Sequence, residues 1–243
     1  MNRVVKSAQR VMEIFEFFAE RRTRSNINDV CKALGYPQSS TSMLLHSLVQ
    51  LGYLTYDKQA RTFHPTLRIA TVGRWLLDEA ADGISPLHIM EKVSQATGHT
   101  IVLGVQNGID VLYIQVIQAT NPIRFYMKPG SLRPIHSTAV GQMLLSLKSD
   151  SEIRAIIRRI NSEREPSESR VNTDEVLEAV AAIRSKGYAM TIGMATPGAA
   201  VIARALPPLP DQPPMVVGIG LPATDSDSEP LYAEILRNEI EGN

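Results

Sequence analysis

Between Pro37 and Ser47 the chain sets out Gln38, Ser39, Ser40, Ser42, Met43 and His46 at spacings that place most of them on the outer side of one helix. Such side chains recognise rather than react. An amide can pair with both N6 and N7 of adenine, short hydroxyls reach base edges or phosphates, and a thioether can touch a thymine methyl. Gln38 is the first choice for reading a base, with the serines and Met43 beside it. A second stretch, His136-Ser137-Thr138-Ala139-Val140-Gly141, begins another helix with small residues and with Ser137 or Thr138 as its cap. Free N–H donors and the helix dipole make such a terminus a seat for a carboxylate.

Bond-making chemistry is not indicated. His46, His64, His88, His99 and His136 show no paired ligand spacing, so no metal is expected. No Gly-x-Ser-x-Gly, P-loop or dinucleotide fingerprint is present, and Gly218-Ile219-Gly220 is too little for a nucleotide site. Neither a catalytic residue nor a cofactor is expected.

The elements that must position these residues follow from periodicity. Apolar residues at Ala8, Val11, Met12, Ile14, Phe15 and Phe18 predict a helix over 7–20, and Ile27, Val30, Cys31 and Leu34 give a short second one ended by Gly35. Pro37 is expected to open the third helix, with Thr41, Leu44, Leu45 and Leu48 inward and Gln38, Ser39, Ser42, Met43 and His46 outward. Residues 53–57 and 62–65 alternate around a polar connection and predict a hairpin, a wing behind the recognition helix. Lys58 and Arg61 at its tip, with Lys6 and Arg10 on the first helix, are candidates for phosphate contacts. Serines that merely cap and solvate a core helix are the plainer alternative; the wing argues against it.

Helical periodicity over 66–81 predicts an interdomain helix, and a helix over 85–97 opens the next domain. Strands are expected at 99–106, 111–118, 123–128, 188–192, 200–206 and 215–221, and helices at 137–147, 150–160, 173–186 and 229–241. Asn107-Gly108 marks a hairpin turn, Thr173 is expected to cap its helix, and the proline-rich stretch 207–214 cannot join a ladder. The order implies an α+β fold with an antiparallel or mixed sheet.

Bulk properties fit this division. The chain has 243 residues, 44% of them hydrophobic, enough for two packed domains. Its zero net charge conceals 11 Lys/Arg against 5 Asp/Glu in residues 1–75, and 14 against 20 in residues 76–243. A basic module joined to an acidic one suits a polyanion binder attached to something that is not. The single Cys31 excludes an internal disulfide and is expected as a small core residue in a reducing cytoplasm. No apolar run has the length of a membrane span, so no membrane partner is expected.

Four stretches in this order carry a family likeness: Ser7-Ala8-Gln9-Arg10-Val11, Gly35-Tyr36-Pro37-Gln38-Ser39-Ser40-Thr41, Leu51-Gly52-Tyr53-Leu54, and Pro134-Ile135-His136-Ser137-Thr138-Ala139-Val140-Gly141. From about Val5 to Leu221 the chain resembles the IclR family of bacterial transcriptional regulators. The resemblance implies a winged helix-turn-helix over 1–65, a dimerising linker helix over 66–83, and a GAF-like effector-binding domain over 84–243. It implies a homodimer or homotetramer on double-stranded DNA. It also places the effector between the helix after His136 and the sheet, where apolar walls with one anion-binding end suit a small organic acid. By position Ala139, Val140 and Gly141 would meet the anion, Thr191, Ala199, Val201, Gly218 and Gly220 would line the far side, and Phe125 and Arg133 would close it. Gly218 and Gly220 are read as leaving room for a ring.

The chain also departs from the family. Gln38 and Met43 stand where a Lys and an Arg are frequent, Leu132-Arg133 reverses the frequent Arg-Leu order, and Thr191-Ile192-Gly193-Met194 replaces acidic residues. The reading is a ligand-responsive DNA-binding regulator. A small-molecule-binding enzyme with an appended helical domain is the alternative, disfavoured by the missing nucleophile and metal constellations. A winged helix that binds protein would need an apolar outer face where the serines stand.

Overall fold

The computed structural model describes residues 5–73, 85–120, 127–167, 169–194 and 196–242, and the chain divides into two compact units, Met1–Glu79 and Ala80–Asn243. The first contains α1 (Lys6–Arg21), α2 (Ile27–Leu34), α3 (Gln38–Gln50), β1 (Leu54–Asp57), β2 (Thr62–Pro65) and α4 (Arg68–Val72). Ile14, Phe17 and Phe18 of α1 meet Val30, Leu45, Leu48, Leu54 and Phe63 in one buried cluster. Truncating a fully buried residue such as Leu45 would cost about 2–5 kcal/mol.

Local chemistry sets the helix ends. Asn26 and Asp29 form a reciprocal capping box at the start of α2, and Gly35 ends that helix in the left-handed region at φ 68°. Pro37 does not open α3 as expected but is its N-cap, at φ −61° and ψ 138°, with its carbonyl taking the Thr41 hydroxyl at 3.0 Å. The wing pairs Leu54 with Pro65 through to Asp57 with Thr62. An isolated bridge from Ser25 to Phe63, unforeseen in the sequence, stitches the α1–α2 connection to the wing. Of the helix expected over 66–81, Arg68–Val72 is helical, and residues 74–81 lie outside the described residues.

The second unit contains α5 (Pro86–Thr97), β3 (Thr100–Asn107), β4 (Asp110–Ile117), β5 (Leu132–Pro134), α6 (Ala139–Ser146), α7 (Asp150–Glu163), α8 (Thr173–Lys186), β6 (Ala189–Ile192), β7 (Ala199–Ala205), β8 (Met215–Pro222) and α9 (Glu229–Glu241). The strands form one antiparallel sheet in the order β5-β4-β3-β8-β7-β6. Alternation sends Ile101, Leu103, Val217 and Ile219 to one face, where they pack with Met90 and Val93 of α5 and with Leu236 of α9. Val102, Val111, Tyr113, Ala203 and Val216 face the other way, toward Val140 and Leu144 of α6, Ile157 of α7 and Val180 of α8. The α+β expectation thus holds, with helices on both sheet faces.

Several expected boundaries shift. Asn107 pairs with Asp110, so Gly108 (φ 65°) and Ile109, not Asn107 and Gly108, make the turn. The helix expected over 137–147 starts at Ala139 rather than Ser137, and Asn172, not Thr173, caps α8. β5 was not foreseen: three residues ending in proline give almost no periodic signal. The strand expected over 123–128 falls mostly outside the described residues, and Met127 and Lys128 are not in a strand. No helix among the described residues is long and apolar enough to cross a membrane.

Candidate functional site

α3 turns its inner face, Thr41, Leu45 and Leu48, into the core and leaves the opposite face outward. Gln38, Ser39 and Met43 are exposed, Met43 at 72%, which no core role explains. The helix starts without a side-chain cap, so its first N–H groups are left as donors for a phosphate. Arg10 of α1 is brought to this end. Its guanidinium lies 4.6 Å from the centre of the Tyr36 ring, and it donates to the Ser40 hydroxyl at 3.5 Å. Ser40 in turn donates to the Pro37 carbonyl at 3.0 Å. Ser40 therefore orients Arg10 rather than standing free as a base reader, and Ser42 is half-buried.

His46 is exposed but its ring is engaged, with centroids 5.4 Å from Tyr56 and 5.3 Å from Phe63 in edge-on geometry. It links helix to wing. Lys58 and Arg61 are exposed at the hairpin tip and Lys6 is exposed on α1. The tip is fixed by Asp57, whose carboxylate accepts from the Gln59 and Ala60 N–H groups at 2.9 and 3.1 Å. These bonds, Ala60 first, hold the Asp57 carboxyl below its usual pKa. Arg61 adopts φ 52°, a strained value for a side chain of its size. Arg24, 3.9 Å from Asp57, adds a cation at the wing that the sequence reading missed; its only signal is the Arg21-Arg22-Thr23-Arg24 charge run.

In the second unit the expected effector residues separate into two groups. Arg133, Thr191, Ala199 and Val201 line one narrow cavity together with Tyr113, Met127, Thr138, Met194 and Thr196, about 20 Å³ of it open to the centre of a water-sized sphere. The latter five were not named as ligand contacts beforehand. Tyr113 was legible in principle, since it sits two residues from buried Val111 on an alternating strand. Burial pushes the Tyr113 hydroxyl up to about 12, partly offset by Arg133, so it is neutral at physiological pH.

The other expected residues lie elsewhere. Ala139, Val140 and Gly141 form the fully buried first turn of α6 and are not in the cavity lining; Thr138, the N-cap, accepts from the Gly141 N–H at 3.1 Å. Gly218 and Gly220 are not in the lining either. The room expected at Gly218 is already taken: a β-carbon there would stand 2.9 Å from a Val140 methyl. Phe125 lies outside the described residues. No group of three or more His, Cys, Asp or Glu that could hold a metal occurs among the described residues.

Comparison with known proteins agrees with this geometry. Residues 7–58 match the IclR helix-turn-helix domain, and residues 84–238 match the C-terminal domain described as bacterial transcriptional regulator IclR. Over 187 residues the chain is 23% identical to the regulator XynR of Escherichia coli, spanning 77% of this chain and 74% of that one. Over 185 residues it is 26% identical to KdgR of Dickeya chrysanthemi, spanning 76% and 60%. A crystal structure of an IclR homologue from Microbacterium hydrocarbonoxydans, in complex with 4-hydroxybenzoate, superposes with a TM-score of 0.66 at 20% identity, covering 97% of this chain and 96% of that one. With a DNA-binding helix-turn-helix, an effector-binding C-terminal domain and a regulator's rather than an enzyme's ancestry, the chain belongs to the IclR family of bacterial transcriptional regulators.

Proposed function

We propose that the protein binds an operator as a homodimer or homotetramer and that a small organic acid, aromatic or aliphatic, modulates this binding from the cavity beneath α6. Residues 1–65 read DNA, 66–83 link, and 84–243 hold the effector. Gln38, Ser39 and Met43 read bases, while Lys6, Arg10, Lys58 and Arg61 contact phosphates and set register. The observation that carries the effector reading is the cavity itself: Arg133, Tyr113 and three threonines, Thr138, Thr191 and Thr196, share its lining with Met127, Met194, Ala199 and Val201. The 4-hydroxybenzoate held by the Microbacterium homologue supports an acid of this size.

As it stands the space accommodates about one water molecule. A ligand must therefore displace Met127 and Met194, whose unbranched side chains adapt readily. That displacement gives the ligand a preference for an opened state over the closed one, the condition for any coupling to DNA binding. Titrating the protein on labelled DNA from its own upstream region, with and without a panel of acids, tests the reading. Affinity should change several-fold with at least one acid, and indifference to all of them would refute the effector half.

A further inference from the structure

We propose that Arg133 selects the charge of the effector: the ligand places a carboxylate on this guanidinium and is rejected when that carboxylate is made neutral. The inference rests on the organic-acid reading above and goes beyond it in assigning discrimination to one side chain. Strand register is the first support. β5 pairs Arg133 with Val111 and Leu132 with Leu112, and paired residues share a face. Val111 is fully buried on the α6 side, so Arg133 turns inward while Leu132 turns out, 50% exposed.

The second support is an unmet donor. The Arg133 Nε is buried and has no hydrogen-bond partner among the described residues. A guanidinium cannot neutralise itself by losing its proton, so a dry N–H on it is costly until an acceptor arrives. The third is the company it keeps. Arg133 is the one charged side chain in the described lining, with no carboxylate there to pair with it. Burial also keeps Tyr113 a neutral phenol, which adds no competing anion.

A carboxylate answers all three. Its two oxygens can take Nε and a terminal N–H side by side, the charge-assisted fork that arginine favours. A primary amide of the same shape offers one oxygen and turns an N–H toward the cation. A site built around such a donor discriminates strongly against a ligand that leaves it unpaired.

The test measures binding of benzoate, 4-hydroxybenzoate, lactate and propionate, each against its primary amide, by calorimetry on the full chain and on R133L, R133K and R133Q. Wild type should prefer at least one acid over its amide by about 100-fold, R133L should bring that ratio within about 3-fold, and R133K should keep part of it. Should R133L fail to fold, R133Q supplies the same comparison. An acid preference that survives intact in R133L or R133Q overturns the role of Arg133 and leaves the organic-acid reading standing. Binding of none of the four acids by wild type overturns both.

Discussion

Gly141 lies so close to Ile135 that a β-carbon on it would stand 2.1 Å from the Ile135 carbonyl oxygen. That approach clamps the first turn of α6 onto the segment leading out of β5. Both pieces carry cavity residues, Thr138 on one side and Arg133 on the other. Gly141, expected as an anion contact, has a packing role that only glycine fills, because the obstacle is backbone and cannot rotate away. G141A should cost about 3 kcal/mol in denaturant unfolding, at the upper end for overpacking. Wild-type stability in G141A would show that the segment shifts freely.

Gln38 and Arg61 should fail in different ways. Q38A is expected to lose about 1–3 kcal/mol at particular base pairs and little on unrelated DNA, as a base reader would. R61A should weaken binding uniformly and lower the salt slope by about 1. R61G separates backbone from charge: it relieves the φ 52° strain yet should bind DNA as poorly as R61A. Anisotropy titrations on specific and scrambled duplexes at three salt concentrations read all of these.

His46 was expected on the DNA face, and its ring contacts with Tyr56 and Phe63 recast it as a brace between α3 and the wing. H46A should lower the stability of the first unit by about 1 kcal/mol, while H46F restores stability and retains operator affinity. Loss of affinity in H46F with stability intact would return His46 to the set of DNA contacts.

Tyr113 gives a pH test. Its folded value, about 12, lies above the ordinary 10, so its contribution is fully present below pH 10 and is lost as pH rises toward 12. Over that window stability should fall by roughly 3 kcal/mol, 1.36 kcal/mol for each of about two units. Y113F should flatten this part of the curve and remove the last-titrating step from the alkaline absorbance of the seven tyrosines. A phenol at Tyr113 that titrates with the others would contradict its burial against α6.

What the sequence disclosed and what it withheld divide along physical lines. Helix ends were legible where one residue carries the signal, as with Gly35. The six-stranded order was not, because antiparallel register depends on partners far along the chain. Arg133 was named only as a residue that would close the site. Its inward turn follows from pairing with Val111, which no periodicity within a three-residue strand reveals. Likewise the serines of α3 look alike in sequence, but Ser40 is drawn to Pro37 and Arg10 while Ser39 stays exposed.

The proposed function requires one chain to couple sequence-specific DNA binding to a small acid. Its most direct test is anisotropy of labelled duplex from the protein's own upstream intergenic region, measured with scrambled competitor and with each acid in turn. Specific binding is expected, abolished in a Q38A and R61A double variant, with an affinity that at least one carboxylic acid shifts several-fold and its amide does not. Binding that is equal on scrambled DNA, or that no acid alters, would contradict it.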